Sequence, residues 1–305
     1  MDLQLAGKRA LITGGSRGIG LAAGRALAAE GADVALVARD AGRLSAAREA
    51  VAEVAAGPAA AGAARRGGRV LAVVGDATDD GSVRSAVSQV VDGLGGVDIL
   101  VNAAAEPAKP GPRVGLSDIA DADLLREIDT KVAGYLRFAR AAAPHMVAQG
   151  WGRIINISGL AARQAMSAVG SVRNVAVAAL TKNLADELGP SGVNVTVIHP
   201  GFTVTERTPE TLAALAAARG ISEPEAAALL ARGVVIGRLV TAEEVADVIA
   251  FLASPRSVAI TGDAIAAGGE RSARSTTEAV KPLSSGQRRA RWPGGRGGSW
   301  ATGSR

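Results

Sequence analysis

The chain has 305 residues and a net charge of +5, with 48% hydrophobic residues, 2% aromatic residues and no cysteine. This length suits one large α/β domain or two small ones, and the absence of cysteine excludes disulfides and thiolate metal sites. No apolar run approaches the roughly 20 residues that span a bilayer. The first apolar strand also begins too early for a signal peptide, so we expect a cytoplasmic protein with no membrane attachment.

The positive charge is concentrated at the carboxyl end. Residues 271–305 contain eight basic residues and one acidic residue, a net charge of +7, whereas residues 1–270 carry a net charge of −2. Because the final segment is rich in Gly, Ser, Arg and Pro, it has little apolar surface to bury. We therefore predict one domain over residues 1–270 and a basic disordered tail over residues 271–305. Binding of nucleic acid by the tail is the less favoured alternative.

Apolar runs typical of strands alternate with alanine-rich helical stretches along residues 1–270. The predicted strands are residues 8–13, 33–38, 69–75, 98–102, 152–158 and 193–199, with a short seventh at 264–267. This alternation predicts an α/β fold with a doubly wound, Rossmann-like parallel sheet and helices on both faces. The low-complexity segment 55–68, in which Pro58 blocks helix continuation, predicts a flexible surface loop.

The first predicted strand leads into a glycine-rich turn, TGGSRGIG, at residues 13–20. Gly14 permits a sharp exit from the strand, Gly18 lets a phosphate approach the backbone, and Gly20 lets the following helix pack closely. A glycine-rich turn between a buried strand and the start of a helix is typical of sites that bind the pyrophosphate of a dinucleotide.

The TGxxxGxG spacing of this turn resembles the cofactor loop of the short-chain dehydrogenases/reductases, and the resemblance extends over residues 5–269. It implies a nicotinamide cofactor, with Asp76 contacting the adenine and Thr205, in a PGxxxT element, meeting the nicotinamide carboxamide. Asn102 matches an asparagine that ties neighbouring strands together. The residues that we expect at the cofactor are Thr13, Gly14, Ser16, Arg17, Gly18, Ile19, Gly20, Arg39, Asp76, Ala77, Asn102, Asn174, Pro200, Gly201, Thr203 and Thr205.

The residues after the second predicted strand favour NADP(H) over NAD(H). An NAD site normally has a carboxylate at the end of this strand, where the chain has Ala38. Arg39 follows, and Arg17 lies in the glycine turn, so two guanidinium groups can bind a 2′-phosphate. The alternative is that Arg39 is solvated and precedes a helix-capping Asp40.

The catalytic residues implied by the resemblance are missing from their expected positions. In that family a tyrosine donates the proton, a lysine four residues later assists it, a serine polarises the carbonyl, and an asparagine positions a water. Counting back from Thr181, the tyrosine and lysine positions hold Gly170 and Asn174, and the serine and asparagine positions hold Gly159 and Lys131. The sequence therefore indicates an atypical member that lacks the YxxxK motif.

Lys131 and Ser158 are the candidate replacements. A desolvated lysine can shift its pKa and donate a proton, although Lys131 can equally be solvated or paired with Asp129. The single tyrosine, Tyr135, lies in an apolar stripe that predicts packing rather than catalysis. His199, at the carboxyl end of a strand, is a weaker candidate for proton transfer.

The remaining features complete the functional hypothesis. Two alanine-rich helical pieces within residues 203–235, broken at Gly220 and capped at Ser222, predict a substrate lid. The closing element, residues 241–269, favours a homodimer or homotetramer, and the scarcity of histidine argues against a metal site. We predict an NADP(H)-binding oxidoreductase that acts on a small carbonyl or alcohol with a non-standard proton donor. The alternative is a catalytically inactive NADP(H)-binding sensor or partner subunit.

Overall fold

The computed structural model describes residues 1–57, 68–106, 115–165 and 167–269. Residues Met1–Arg271 form one compact unit. Most of the predicted surface loop at 55–68 and the predicted disordered tail lie outside the described residues. In the described part of the chain, no helix combines the length and apolar character needed to cross a bilayer.

Seven parallel strands form the main sheet in the order β3-β2-β1-β4-β5-β6-β9, and β7 and β8 form a separate pair. The strands are β1 (Arg9–Thr13), β2 (Asp33–Ala38), β3 (Val70–Val74), β4 (Ile99–Asn102), β5 (Gly152–Ile157), β6 (Val193–Pro200), β7 (Thr203–Val204), β8 (Val240–Thr241) and β9 (Ala264–Ala267). The predicted doubly wound sheet is confirmed, and the predicted strand limits differ from the observed ones only at their ends.

Helices cover both faces of the sheet. They are α1 (Gly18–Ala29), α2 (Ala41–Ala56), α3 (Asp80–Leu94), α4 (Asp121–Glu127), α5 (Gly134–Ala148), α6 (Ala168–Leu188), α7 (Thr208–Arg219), α8 (Glu223–Ala231) and α9 (Ala242–Ala253). A π-helical turn, Ile128–Ala133, joins α4 to α5. This turn carries Lys131.

The apolar runs become central strands because both of their faces are buried. Every residue of β4 and β5 is buried, as are the last four residues of β1. Residues such as Leu27 and Ile249 pack on one face of the sheet, and residues such as Val87 and Phe138 pack on the other. Burial on both sides is what a parallel sheet requires.

The strand order reverses direction between β1 and β4. From β1 the chain moves outward through β2 and β3, and it then returns to the other side of β1 to build β4, β5 and β6. A crevice opens where such a reversal occurs, at the carboxyl ends of the strands, and ligands of doubly wound folds bind there. The glycine turn that follows β1 lies at this point.

Helix α9 supports α1, the helix that begins at the glycine turn. Ala242 and Ala246 of α9 pack with Ala22 of α1, and their small side chains let the two helices approach closely. A capping box begins α9: the Thr241 hydroxyl accepts from the Glu244 amide at 3.2 Å, and the Glu244 carboxylate accepts from the Thr241 amide at 2.9 Å. The orientation of α1 therefore depends in part on the start of α9.

Replacement of Thr241 by alanine removes the capping hydroxyl, so we expect Thr241→Ala to lower the free energy of unfolding by about 1 kcal/mol. Thr241→Ser keeps the hydroxyl and should stay within about 0.5 kcal/mol of the parent. Urea unfolding followed by circular dichroism measures both. Equal stability of Thr241→Ala and the parent would show that the capping box does not stabilise α9.

Candidate functional site

A cleft of about 390 Å³ opens at the carboxyl ends of the parallel strands. Its volume lies within the range of sites for small ligands and cofactors. The predicted cofactor residues that line it are Thr13, Gly14, Ser16, Arg17, Gly18, Ile19, Gly20, Arg39, Asp76, Ala77, Pro200 and Thr205. The candidate catalytic residues Lys131 and Ser158 line the same cleft.

Three glycine positions of the turn disfavour a side chain. Gly14 and Gly18 have positive φ angles of 67° and 55°, which disfavour residues with a Cβ. A Cβ on Gly20 would lie 2.4 Å from the Gly14 carbonyl oxygen. Helix α1 begins within the turn, at Gly18, so its first backbone amides are available to an anion at the cleft.

A carboxylate already contacts the start of α1. Both oxygens of Glu206 accept from the Gly18 amide, at 3.1 and 3.2 Å. Glu206 lines the cleft, and sequence reasoning missed it. Because a helix N-terminus attracts negative charge, this contact identifies the Gly18 amide as an anion-binding donor.

Arg39 and Arg17 both line the cleft, Arg39 directly after β2 and Arg17 in the glycine turn. The Arg39 side chain is 58% exposed, and its Nη2 donates to Glu106 at 3.1 Å. Asp40 caps α2 by accepting from the Arg43 amide at 2.9 Å. The helix cap that we considered as an alternative is thus present, and Arg39 still lines the cleft.

Asp76 faces the cleft from the end of β3. Its Oδ1 accepts from the amide and the hydroxyl of Thr78, both at 2.9 Å. Burial opposes ionisation of Asp76, but these hydrogen bonds and the charges of Arg39 and Arg137 bring its pKa below the usual value. Asp79, rather than Asp76, caps α3.

Lys131 is the most unusual group in the cleft wall. It is 4% exposed, and its Nζ donates to the Ser158 carbonyl oxygen at 2.8 Å and to Asn174 Oδ1 at 3.3 Å. An ammonium has three donors, so one N–H has no partner among the described residues. Asp129 pairs with Arg137 instead, which makes the suggested Lys131–Asp129 ion pair wrong.

The pKa of Lys131 is lowered well below its usual value of 10.5. Burial is the main cause, the positive charge of Arg173 adds to it, and the negative charge of Glu127 opposes it. A lowered pKa makes the ammonium a stronger acid than a solvated lysine.

Asn174 joins these groups from α6. Its Oδ1 accepts from Lys131 Nζ and, at 3.4 Å, from Arg173 Nε. A Cβ placed on Gly159 would lie 2.8 Å from Asn174 Nδ2. The glycine at residue 159 therefore leaves the space that the Asn174 side chain occupies.

The hydroxyl groups near Lys131 already have partners. Ser158 Oγ donates to the Asn174 carbonyl oxygen at 3.0 Å, and the Tyr135 hydroxyl donates to the Ile157 carbonyl oxygen at 2.9 Å. Burial also raises the pKa of Tyr135. Tyr135 packs with Val177 and Val197, which agrees with the structural role predicted for it.

His199 is buried in β6 and is not among the residues that line the cleft. Its Nδ1 has no hydrogen-bond partner in the described part of the chain. Burial, together with the charges of Arg163 and Lys131, lowers its pKa, which favours the uncharged imidazole.

Four predicted cofactor residues are not among those that line the cleft: Asn102, Asn174, Gly201 and Thr203. Asn102 is fully buried, and its amide donates to Asn156 at 2.9 Å, which ties β4 to β5 as the sequence predicts. Gly201 packs against Gly268, and Thr203 belongs to the β7–β8 pair.

The cleft also has charged wall residues that sequence reasoning missed. They are Arg43, Glu106, Glu206 and Arg207. Three of them lie beside residues that the sequence analysis names: Arg43 comes one helical turn after the Asp40 cap, and Glu206 and Arg207 directly follow Thr205. These positions could have added them to the predicted site. No sequence signal pairs Glu106 with Arg39. Among the described residues, no group of three or more histidine, aspartate or glutamate side chains is arranged to hold a metal ion.

Comparison with known proteins identifies relatives of this chain. The family model described as short chain dehydrogenase matches residues 8–216. The short-chain reductase protein NovJ of Streptomyces niveus is 36% identical over 263 residues, which cover 86% of this chain and 93% of that protein.

Solved structures show the same similarity. L-sorbose reductase from Gluconobacter frateurii, complexed with NADPH and L-sorbose, has a TM-score of 0.79 and 32% identity, covering 88% of this chain and 98% of that one. A variant of actinorhodin polyketide ketoreductase with NADPH has a TM-score of 0.76 and 28% identity, covering 86% of this chain and 96% of that one.

The contact between residues 159 and 174 predicts a coupled pair of substitutions. Gly159 has an extended φ of 168°, so Gly159→Ser adds no backbone strain and its cost arises from Asn174. We expect Gly159→Ser to lower the free energy of unfolding by about 1–2 kcal/mol in the parent, and by less in an Asn174→Ala background. Thermal and urea unfolding of the four proteins measure the coupling.

Gly189→Ser is the matched control because a Cβ on Gly189 meets nothing within 4 Å. It should change stability by no more than about 0.5 kcal/mol. An equal cost of Gly159→Ser with and without Asn174 would rule out the contact as its cause.

Proposed function

Because the chain belongs to the short-chain dehydrogenase family of oxidoreductases, we propose that it uses NADP(H) to reduce a carbonyl compound, or to oxidise the corresponding alcohol, with Lys131 as the proton donor. One observation carries this proposal. The buried Lys131 ammonium lines the same cleft as the glycine turn and keeps one N–H without a partner among the described residues.

The residues of the cleft fit a dinucleotide. The glycine positions leave backbone exposed at the start of α1, and the Gly18 amide already binds a carboxylate, which shares the negative charge of a phosphate. When bound, the cofactor supplies the hydride that carbonyl reduction requires. Glu206 competes for the same amide, so we expect its carboxylate to move away when the pyrophosphate binds.

The charges near β2 favour NADP(H) over NAD(H). The strand ends at Ala38, where a carboxylate would repel a 2′-phosphate, and Arg39 follows it. The partner of Arg39 is Glu106, and the exposed pair is weak enough to be exchanged for a phosphate. Two of the similar structures contain NADPH, which agrees with this assignment.

Lys131 performs the proton transfer in this proposal. Its ammonium donates a proton to the carbonyl oxygen as hydride reaches the carbonyl carbon, so the C=O π bond becomes a C–OH and a C–H bond. The neutral amine then regains a proton from water. The Ser158 carbonyl and Asn174 Oδ1 hold Nζ in place, and burial lowers its pKa, which makes it a stronger acid than a solvated lysine.

A second candidate is a cofactor-binding sensor or partner subunit without turnover. The observation that favours it is that the Ser158 and Tyr135 hydroxyls both donate to backbone carbonyls, which leaves neither free to polarise a substrate. The two candidates share the cofactor site and differ in what Lys131 does.

The segment after β6 is proposed as the lid. Helices α7 and α8 meet at Gly220, which has a positive φ of 63°, and a capping box at Ser222 begins α8. The contact between Glu206 and the Gly18 amide joins the first residues of this segment to the glycine turn. Movement of Glu206 on cofactor binding would therefore be transmitted to the lid.

A homodimer or homotetramer is part of the proposal. Apolar side chains are exposed on the neighbouring helices α5 and α6, where Leu136, Val172 and Val175 are 39%, 51% and 50% exposed. Contact with a second copy would remove these side chains from water.

Arg39→Ala removes the proposed ligand of the 2′-phosphate. We expect it to weaken NADPH binding by about 10-fold or more, because a charge-assisted hydrogen bond is lost, while NADH binding changes little. Fluorescence titration with both cofactors measures the effect, with Arg48→Ala on the exposed side of α2 as the control. An equal loss of affinity for NADPH and NADH would contradict the assignment.

Lys131→Ala removes the proposed acid. We expect kcat for carbonyl reduction to fall by about 100-fold or more while the Kd of NADPH is unchanged, because proton donation is lost and the cofactor contacts are not. Steady-state assays over a panel of aldehydes, ketones and quinones, with binding titrations beside them, provide the measurement. Lys182→Ala, an exposed lysine on α6, is the control.

The pH dependence has a defined sign. Reduction needs the protonated ammonium, so kcat should fall as pH rises through the pKa of Lys131, which burial places below 10.5. Turnover that is unaffected in Lys131→Ala would remove Lys131 as the donor. Binding of NADPH with no turnover in the parent would support the sensor, and failure to bind NADPH would exclude both candidates.

A further inference from the structure

We propose that Arg173 binds a carboxylate on the substrate, so that the cleft prefers oxo acids to neutral ketones and aldehydes. This inference rests on the proposed function, because it names the substrate class of the same site. It follows from the charges and hydrogen bonds around Lys131.

The wall around Lys131 is positive. Seven residues form this part of the cleft: Thr130, Lys131, Tyr135, Phe138, Ile157, Ser158 and Arg173. Two of the seven are cationic and none is a carboxylate. The four acidic wall residues of the cleft have other partners. Glu206 contacts the glycine turn, Glu106 pairs with Arg39, Asp40 pairs with Arg43, and Asp76 accepts from Thr78.

Arg173 has an open edge on this wall. Its Nη1 pairs with Glu127, which does not line the cleft, and its Nε donates to Asn174 at 3.4 Å. Its Nη2 has no partner among the described residues and is not one of their fully buried unpaired atoms, and Arg173 lines the cleft. The side chain is only 14% exposed, which keeps the guanidinium in one place.

One carboxylate does not balance the charges of this group. Lys131 and Arg173 contribute two positive charges when Lys131 is protonated, and Glu127 contributes one negative charge. A guanidinium edge that is partly desolvated binds carboxylate more strongly than it binds neutral oxygen. A substrate with a carboxylate on Arg173 and a carbonyl oxygen on Lys131 would use the open N–H groups of both residues.

The distance between the two substrate groups is set by how Arg173 and Lys131 are held. Asn174 Oδ1 accepts from both side chains, so the two cations are fixed relative to each other by one amide. This arrangement favours short oxo acids, in which few bonds separate the carbonyl from the carboxylate.

The test compares acids with amides of the same shape. With NADPH present, the full chain is assayed for reduction of 3-oxobutanoate and 4-oxopentanoate, and of their primary amides. Binding of the same compounds to the protein saturated with NADP⁺ is measured by calorimetry. We expect kcat/KM and affinity to favour at least one acid over its amide by about 10-fold or more.

Three variants assign that preference to Arg173. Arg173→Gln should bring the ratio of acid to amide close to one and leave the Kd of NADPH unchanged. The double variant Arg173→Gln/Glu127→Gln should do the same without leaving Glu127 unpaired, which guards against loss of folding. Arg126→Gln, an exposed neighbour on α4 that pairs with Asp123, should leave the ratio as it is in the parent.

The possible outcomes separate this inference from the proposed function. Equal use of acids and amides by the parent overturns the inference, and so does an unchanged ratio of acid to amide in Arg173→Gln. In both cases the oxidoreductase proposal stands. Weaker NADPH binding in Arg173→Gln would show that Arg173 contacts the cofactor instead. Binding of acids that depends on Arg173, without any turnover, would support the inference and reject the oxidoreductase proposal.

Discussion

Burial of the Lys131 ammonium is the constraint on which the rest of the site depends. A buried cation needs acceptors, and the Ser158 carbonyl and Asn174 Oδ1 supply them. An amide oxygen accepts from Lys131, whereas a second lysine at residue 174 would repel it. Asn174 in turn leaves no room for a side chain at Gly159. The residues at positions 131, 159 and 174 are therefore parts of one arrangement, and we expect a substitution at any one of them to disturb the other two.

The scaffold explains how these groups reach the cleft. Ser158 follows β5 at the carboxyl edge of the sheet, Lys131 comes from the π-helical turn before α5, and Asn174 comes from α6. The glycine turn lies across the same edge, after β1. Negative groups of the chain occupy the two places where phosphates are expected, with Glu206 on the Gly18 amide and Glu106 on Arg39. Both contacts show that the cleft has donors able to bind a negatively charged group.

The sequence predicted local features well because their causes are local. Strands were visible as apolar runs, and the Asp40 and Ser222 caps were visible as polar residues before helical stretches. Contacts between distant residues had no such signal. Glu206 and Gly18 are 188 residues apart, and Arg173 and Glu127 are 46 apart, so their pairing depends on how the helices and strands pack. The sequence placed Lys131 near the site but left open a pairing with Asp129, which the fold gives to Arg137 instead.

The state of Lys131 can be observed directly. Carbon-13 NMR of the lysine side chains, recorded against pH on the protein saturated with NADP⁺, follows each ammonium as it loses its proton. The account predicts one lysine signal with a midpoint well below the usual 10.5, and this signal should be missing in Lys131→Ala. If every lysine titrates near the usual value, Lys131 is not buried as described, and its assignment as the proton donor is contradicted.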